Sequence, residues 1–258
     1  MEDDDSSSGR RGLTRFLKPA LFLGSAAAFA SVAHASIARP WLGVAVGLAI
    51  GAFFLWRWWS HARLVRMLRR GDVNEIIAHW SDRFESIPHA ETMAPLMTAT
   101  AFAAFGRVSD ARRALDNAAK GPAWEAALEH RLFLDAILSA FEGDGARADE
   151  VAGRLNALPM PARREARERI GTLRQAVSAL VRAFSHKAEP GDLDRLESAS
   201  EKSPLVHWAM RYAAAIVAVD QGNEGKARAL IDGAPRWPSE SAFRAFHDEI
   251  ADMLAPSA

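Results

Sequence analysis

Cysteine is absent from this 258-residue chain, which excludes disulfides, thiolate nucleophiles and cysteine-based metal sites together. Also missing are a Gly-rich phosphate loop, a G-x-S-x-G elbow and an H-E-x-x-H pair, so no local signature of phosphoryl transfer, acyl transfer or zinc hydrolysis is present. Beyond residue 70 there is no sustained period-2 alternation, which argues against a sheet. The expectation is therefore an all-α protein that is not an enzyme and has no cofactor or metal.

Formal charge is missing too from one long stretch, residues 19–38, and nearly so from a second, residues 41–59, where Arg57 interrupts a run ending in Trp58 and Trp59. A membrane-spanning helix needs roughly 20 mostly apolar residues to cross ~30 Å of hydrocarbon. Only Arg39 and Pro40 part the two runs, so the pattern predicts a transmembrane hairpin within residues 16–70. Gly43, Gly47 and Gly51 on one run, with Gly24, Ala28, Ser31 and Ala35 on the other, offer small faces for close helix contact. Arg10, Arg11, Arg15 and Lys18 precede the hairpin, and Arg57, Arg63, Arg66, Arg69 and Arg70 follow it. By the positive-inside rule both termini are then cytoplasmic, in a two-span protein of the bacterial inner membrane. A competing reading takes residues 1–35 as a secretory signal ending at Ala33-His34-Ala35; it too leaves the larger domain in the cytoplasm. His34, the ionisable group of the first run, lies near its end, where a neutral imidazole reaches the interface.

The overall charge of zero hides an asymmetry: residues 1–70 sum to +6 and residues 71–258 to −6. Arg63, Arg66, Arg69 and Arg70 are accordingly candidates for contact with anionic lipid headgroups, at about 1 kcal/mol each near the surface. The acidic remainder carries no footprint for nucleic acid. Residues 1–15 are polar and too poor in hydrophobes to fold alone. Arg outnumbers Lys 27 to 5, a bias like that of high-GC bacterial proteomes.

From residue 71 onward the chain reads as amphipathic helices punctuated by Gly, Pro or Asp. The clearest covers residues 163–184, where Ile170, Leu173, Val177, Leu180, Val181 and Phe184 mark a core face and the arginines are expected on the surface. The helices come in pairs that repeat. Ala99, Gly106, Ala111 and Leu115 are echoed by Ala136, Gly143, Ala148 and Ala152, and again by Ala215, Gly222, Ala227 and Ile231. A small residue stands seven before each glycine and an alanine five after it. The glycine suits a tight turn, and the small residues suit a close helix crossing. A partial copy begins at Gly71 with Val73, Ile76 and Trp80, and a further pair fills 162–203 with Gly191 as its expected turn. This pattern resembles the tetratricopeptide (TPR-like) repeat, although Pro95 and Arg211 stand where that family favours a tryptophan-like residue. The resemblance implies an α-solenoid of antiparallel helix pairs over 71–258, with a run at 239–254 capping the open end through Glu240, Arg244, Asp248 and Glu249 on its outer face.

What the resemblance implies for function is protein–protein interaction: a membrane-anchored scaffold whose concave surface binds a protein partner. An alternative is a small integral-membrane subunit or assembly factor of a transport or envelope complex, with the repeats as its docking module. Partners would then be a protein and the lipid bilayer, with no nucleic acid and no small-molecule substrate in view. Trp124, Trp208 and Tyr212 are candidates for a partner-binding groove, or else core plugs at helix crossings. Glu75 and His79, one turn apart, make half a metal site without further ligands. Glu129-His130 and His247-Asp248-Glu249 are consecutive, so their side chains are expected to diverge around a helix.

Overall fold

The computed structural model describes residues 73–84 and 87–255, together with 44, 48, 50–56, 59 and 66 ahead of them. The chain divides into two units, Met1–Arg63 and Leu64–Ala258. In the first, residues 50–56 are helical, with Phe53, Phe54, Leu55 and Trp56 exposed. Among the described residues no helix is long and apolar enough to cross a membrane. That overturns the predicted hairpin and the two-span inner-membrane placement, because a span needs roughly 20 continuous apolar residues in one helix. The first apolar run, residues 19–38, lies outside the described residues, as do Arg63, Arg69 and Arg70; Arg66 is helical and exposed.

The second unit is all-helical among its described residues. In chain order it comprises α1 (Val73–Phe84), α2 (Ala90–Ala104), α3 (Val108–Asp116), α4 (Pro122–Ala126), α5 (Leu128–Phe141), α6 (Gly145–Ala157), α7 (Arg164–Phe184), α8 (Asp192–Lys202), a 3₁₀ turn (Pro204–Val206), α9 (His207–Asp220), α10 (Glu224–Ile231) and α11 (Ala242–Met253). Four consecutive hairpins, α2/α3, α5/α6, α7/α8 and α9/α10, give the repeated helix–helix packing of a helical-repeat array.

Each hairpin turns in the same way. Gly106, Gly143, His186 and Gly222 sit at φ of 68°, 77°, 54° and 71°. Each donates its N–H to the carbonyl three residues back, and the next residue donates to the carbonyl five back, as in Arg107 to Phe102 and Asn223 to Ala218. This is the Schellman arrangement, which satisfies the orphan carbonyls of a helix end. The third turn is a correction: His186, not Gly191, closes the first helix of the pair, while Gly191, also left-handed at φ 85°, precedes α8 as its N-cap. In two hairpins the next helix is capped by a side chain, Asp144 accepting from Arg147 N and Asn223 from Lys226 N.

Seven residues before these turns stand Ala99, Ala136, Ala179 and Ala215, and all four are fully buried. Ala111, Ala148 and Ala227, five after the glycines, are equally inaccessible. A methyl group at each crossing brings paired backbones close, and a larger one would force them apart. Replacing any of the last three with Leu is therefore expected to destabilise by about 1–3 kcal/mol, against little change for Leu at exposed Gln221. Thermal unfolding of the four variants checks this, and equal, negligible effects would sink the repeat register.

The first helices of the hairpins form an inner ring. α2 packs on α5, α5 on α7 and α7 on α9, and α9 returns to touch α2. That ring explains α9, whose sequence HWAMRYAAAIVAVD is apolar on nearly every side: it is surrounded by α2, α7, α8, α10 and α11. α11 then joins the last hairpin to the first. Ser241 donates from Oγ to Phe105 O at 2.6 Å, and Ala242 N donates to Gly106 O at 2.9 Å. Instead of capping an open end, the run predicted at 239–254 closes the array, although Glu240, Arg244, Asp248 and Glu249 do face outward as expected.

Candidate functional site

At the turn end of the inner ring, Phe141, Phe184, Tyr212, Trp237, Phe243 and Phe246 form one aromatic cluster. Its ring centroids lie 4.8–5.6 Å apart for Phe184–Phe246, Trp237–Phe243, Tyr212–Phe243, Phe141–Phe184, Phe141–Phe243 and Phe141–Phe246. Most meet edge to face, the arrangement that pairs a ring's positive rim with a negative face. Within the cluster Trp237 Nε1–H donates to Tyr212 Oη at 2.7 Å, and the tyrosine hydroxyl in turn faces His247 Nδ1 at 3.3 Å. Burial pushes the Tyr212 hydroxyl well above its ordinary range, so it stays protonated.

Two of the three groove candidates belong here. Trp208 is 5% exposed and Tyr212 fully buried; both act as core plugs, and Trp208 Nε1 is buried without an acceptor. Trp124 lies apart from them, half-buried on short α4. Two cations lie over its ring, Lys120 Nζ at 3.7 Å and Arg131 Cζ at 4.2 Å from the centroid. The structure therefore does not bring the three predicted groove residues together.

Apart from the aromatic cluster, the last turn of α2, the α4–α5 corner, α7 and the segment around the 3₁₀ turn line a cavity of about 450 Å³. Its walls are mainly aliphatic and aromatic, with Phe133, Ile137, Leu155, Ile170, Leu173 and Leu205 among them. Five polar side chains reach it: Thr100, Glu129, His130, Arg174 and Ser203. A predominantly apolar concavity of this size with a few placed polar groups is the usual form of a binding site.

Those polar groups are mostly engaged with one another. Arg174, 3% exposed, donates from Nε and Nη2 to Glu129 Oε1 at 2.9 and 2.7 Å, and from Nη1 to Leu158 O at 2.7 Å. One guanidinium thus ties the start of α5, the end of α6 and the middle of α7. Thr100 donates its single hydroxyl proton to Leu96 O at 2.8 Å. Its contact with His130 Nε2, also 2.8 Å, must then have His130 as donor. That fixes the imidazole as the Nε2–H tautomer with Nδ1 as a lone-pair acceptor. Desolvation lowers the His130 pKa below its ordinary value.

Sequence reasoning missed this site for two identifiable reasons. Glu129 and His130 are consecutive and were expected to diverge, yet a cavity this wide admits side chains about 100° apart on one helix. Arg174 sits in the amphipathic run whose arginines were expected on the surface; the carboxylate of half-exposed Glu129 on α5, 45 residues away, and the Leu158 carbonyl hold it inward. The remaining candidates do not assemble: no group of three or more His, Cys, Asp or Glu residues fit to hold a metal occurs among the described residues.

No protein-family model, no curated protein and no solved structure matches this chain.

Proposed function

We propose that the chain is a binding scaffold: a tetratricopeptide-like module that recognises a protein partner through the cavity between its inner helices, without catalysing a reaction on it. The observation that carries the reading is the cavity of about 450 Å³ lined by successive inner helices. Repeat proteins characteristically present such inner surfaces to partners. The arrangement of its polar groups favours binding over chemistry. The carboxylate of Glu129 is held by Arg174 and the Nε2 edge of His130 by Thr100, so both are engaged within the cavity wall. Function remains a property of the site and not of the fold, so the repeat resemblance enters as analogy.

The test is site-specific photo-cross-linking in cells. Benzoyl-phenylalanine in place of Phe133, on the cavity wall, is expected to give a discrete protein adduct, and the same group at exposed Glu150 of α6 is not. Equal adducts at both positions, or none at either, would overturn the reading.

A further inference from the structure

The helix at residues 50–56, in the first unit, carries Phe53, Phe54, Leu55 and Trp56 in succession, and these four residues are 55–66% exposed. At about 100° per residue, four consecutive positions take in most of a helix's circumference. Val44, Leu48 and Ile50 before them, and Trp59 after them, are helical and exposed as well. A helix that packs on a protein surface buries one apolar stripe and keeps the opposite face polar. Here no single stripe is the apolar one, so a flat protein surface would leave large apolar side chains in water on the far side.

Charge narrows the choice of what surrounds it. From residue 6 to residue 71 the sequence has ten Lys/Arg and no Asp or Glu. A second copy of the same stretch would bring cations against cations. An anionic lipid surface supplies both complements at once: acyl chains that enclose an apolar helix, and negative headgroups that attract the flanking cations. Tryptophan at the end of an apolar run is also the side chain that favours the headgroup level. At 1.5 Å per residue the helix over 50–56 is about 10 Å long, which fits within one leaflet of a ~30 Å hydrocarbon layer.

We infer that residues 50–56 are a lipid-contact segment: Ile50, Phe53, Phe54 and Leu55 enter one leaflet of an anionic lipid surface, with Trp56 and Trp59 at headgroup level. The flanking cations, Arg57 and Arg63 nearest in sequence, supply the attraction to the headgroups. This is insertion into one leaflet and not passage across a bilayer, in keeping with the lack, among the described residues, of a helix long and apolar enough to cross. It is independent of what the cavity in the second unit binds.

The test is flotation of the full chain with vesicles of phosphatidylcholine alone and with vesicles that also contain phosphatidylglycerol. Binding to the mixed vesicles is expected to be about tenfold tighter or more, the effect of a few cations beside anionic lipid. Phe53→Glu together with Phe54→Glu should weaken binding to the mixed vesicles by about tenfold or more, whereas Phe53→Leu with Phe54→Leu should keep it. Arg57→Gln with Arg63→Gln should reduce binding to the mixed vesicles and leave the weak binding to phosphatidylcholine as it was. Since Phe53 and Phe54 are exposed, thermal unfolding of the second unit should be the same in every variant, which separates lost lipid contact from lost folding. Flotation that is absent with both vesicles, equal with both, or unchanged by the paired glutamates would overturn the inference. So would a chain that sediments as a dimer or larger species without lipid and becomes monomeric with the paired glutamates, since a second copy would then cover the helix.

Discussion

Gly106→Ala is expected to destabilise the protein by about 2–5 kcal/mol, while the same change at Gly143 or Gly222 costs about 1–2 kcal/mol. All three glycines hold left-handed φ values of 68–77°, so all three variants carry the penalty for an L-residue in that region. Only Gly106 has neighbours. A Cβ there would lie 2.8 Å from Ser241 Oγ and 2.9 Å from Phe243 Cγ, whereas nothing lies within 4 Å at Gly143 or Gly222. Ser241 cannot step aside cheaply, since its hydroxyl donates to Phe105 O and accepts from Phe243 N. Phe243 is wedged in the aromatic cluster. His186 supplies an internal control: an ordinary residue already occupies this turn position in the third hairpin, at φ 54°. Urea unfolding of the three alanine variants separates the terms. Equal losses would mean that the contact between α11 and the first turn contributes nothing.

The second large effect is expected at Asp192, the fully buried carboxylate at the start of α8. It receives Arg182 through both oxygens at 2.8 and 2.6 Å, Arg195 at 2.8 Å and the Glu189 backbone N–H at 2.9 Å. Burial by itself would raise its pKa, but these hydrogen bonds and the Arg182 charge outweigh burial and hold it below the ordinary 3.8. Asp192→Ala orphans all the donors at once and is expected to cost about 3 kcal/mol, the low end for a broken buried pair, because Arg182 retains some access to water. The sign of the pH dependence follows from the depressed value. The unfolded state binds the proton first, so the carboxylate's contribution is complete above about pH 4 and is lost as pH falls through the folded-state pKa. Stability curves of wild type and Asp192→Asn should therefore run apart at neutral pH and converge in acid. Parallel curves down to strongly acidic pH would rule out the ionised role.

Much of the array was legible because its determinants are local. The alternation of Ala, Gly and Ala at fixed offsets marks where helices turn and cross, and those alanines are among the fully buried positions of their hairpins. The turn at His186 was illegible because histidine's tolerance of a left-handed backbone is a far weaker signal than that of glycine, and Gly191 stood nearby. There the surrounding helices α7 and α8 impose the conformation. The closure by α11 was illegible for another reason: amphipathicity shows that a helix has a face to bury, not which distant surface will take it. The predicted membrane hairpin shows a further limit. Apolar composition over 41–59 suggests a span, but a span also requires one continuous helix of sufficient length, and none stands among the described residues. The cavity's ion pair lay hidden because burial of Arg174 depends on Glu129 from another hairpin.

The bond between Ser241 and Phe105 spans 136 positions of sequence, and that separation bears on how the molecule folds and comes apart. In an open array each repeat leans only on its neighbours, so terminal units fray first and stability is close to a sum of adjacent terms. Here the ends are tied together, and loss of the first hairpin removes the partners of Ser241 and Ala242 at the start of the last helix. Unfolding is thereby pushed towards a single concerted event. The same long-range contact slows assembly, because the entropy of closing so large a loop is met before the aromatic cluster can reward it. During synthesis the first hairpin waits, with Phe105 and its neighbours uncovered, until residues far downstream arrive to seal it.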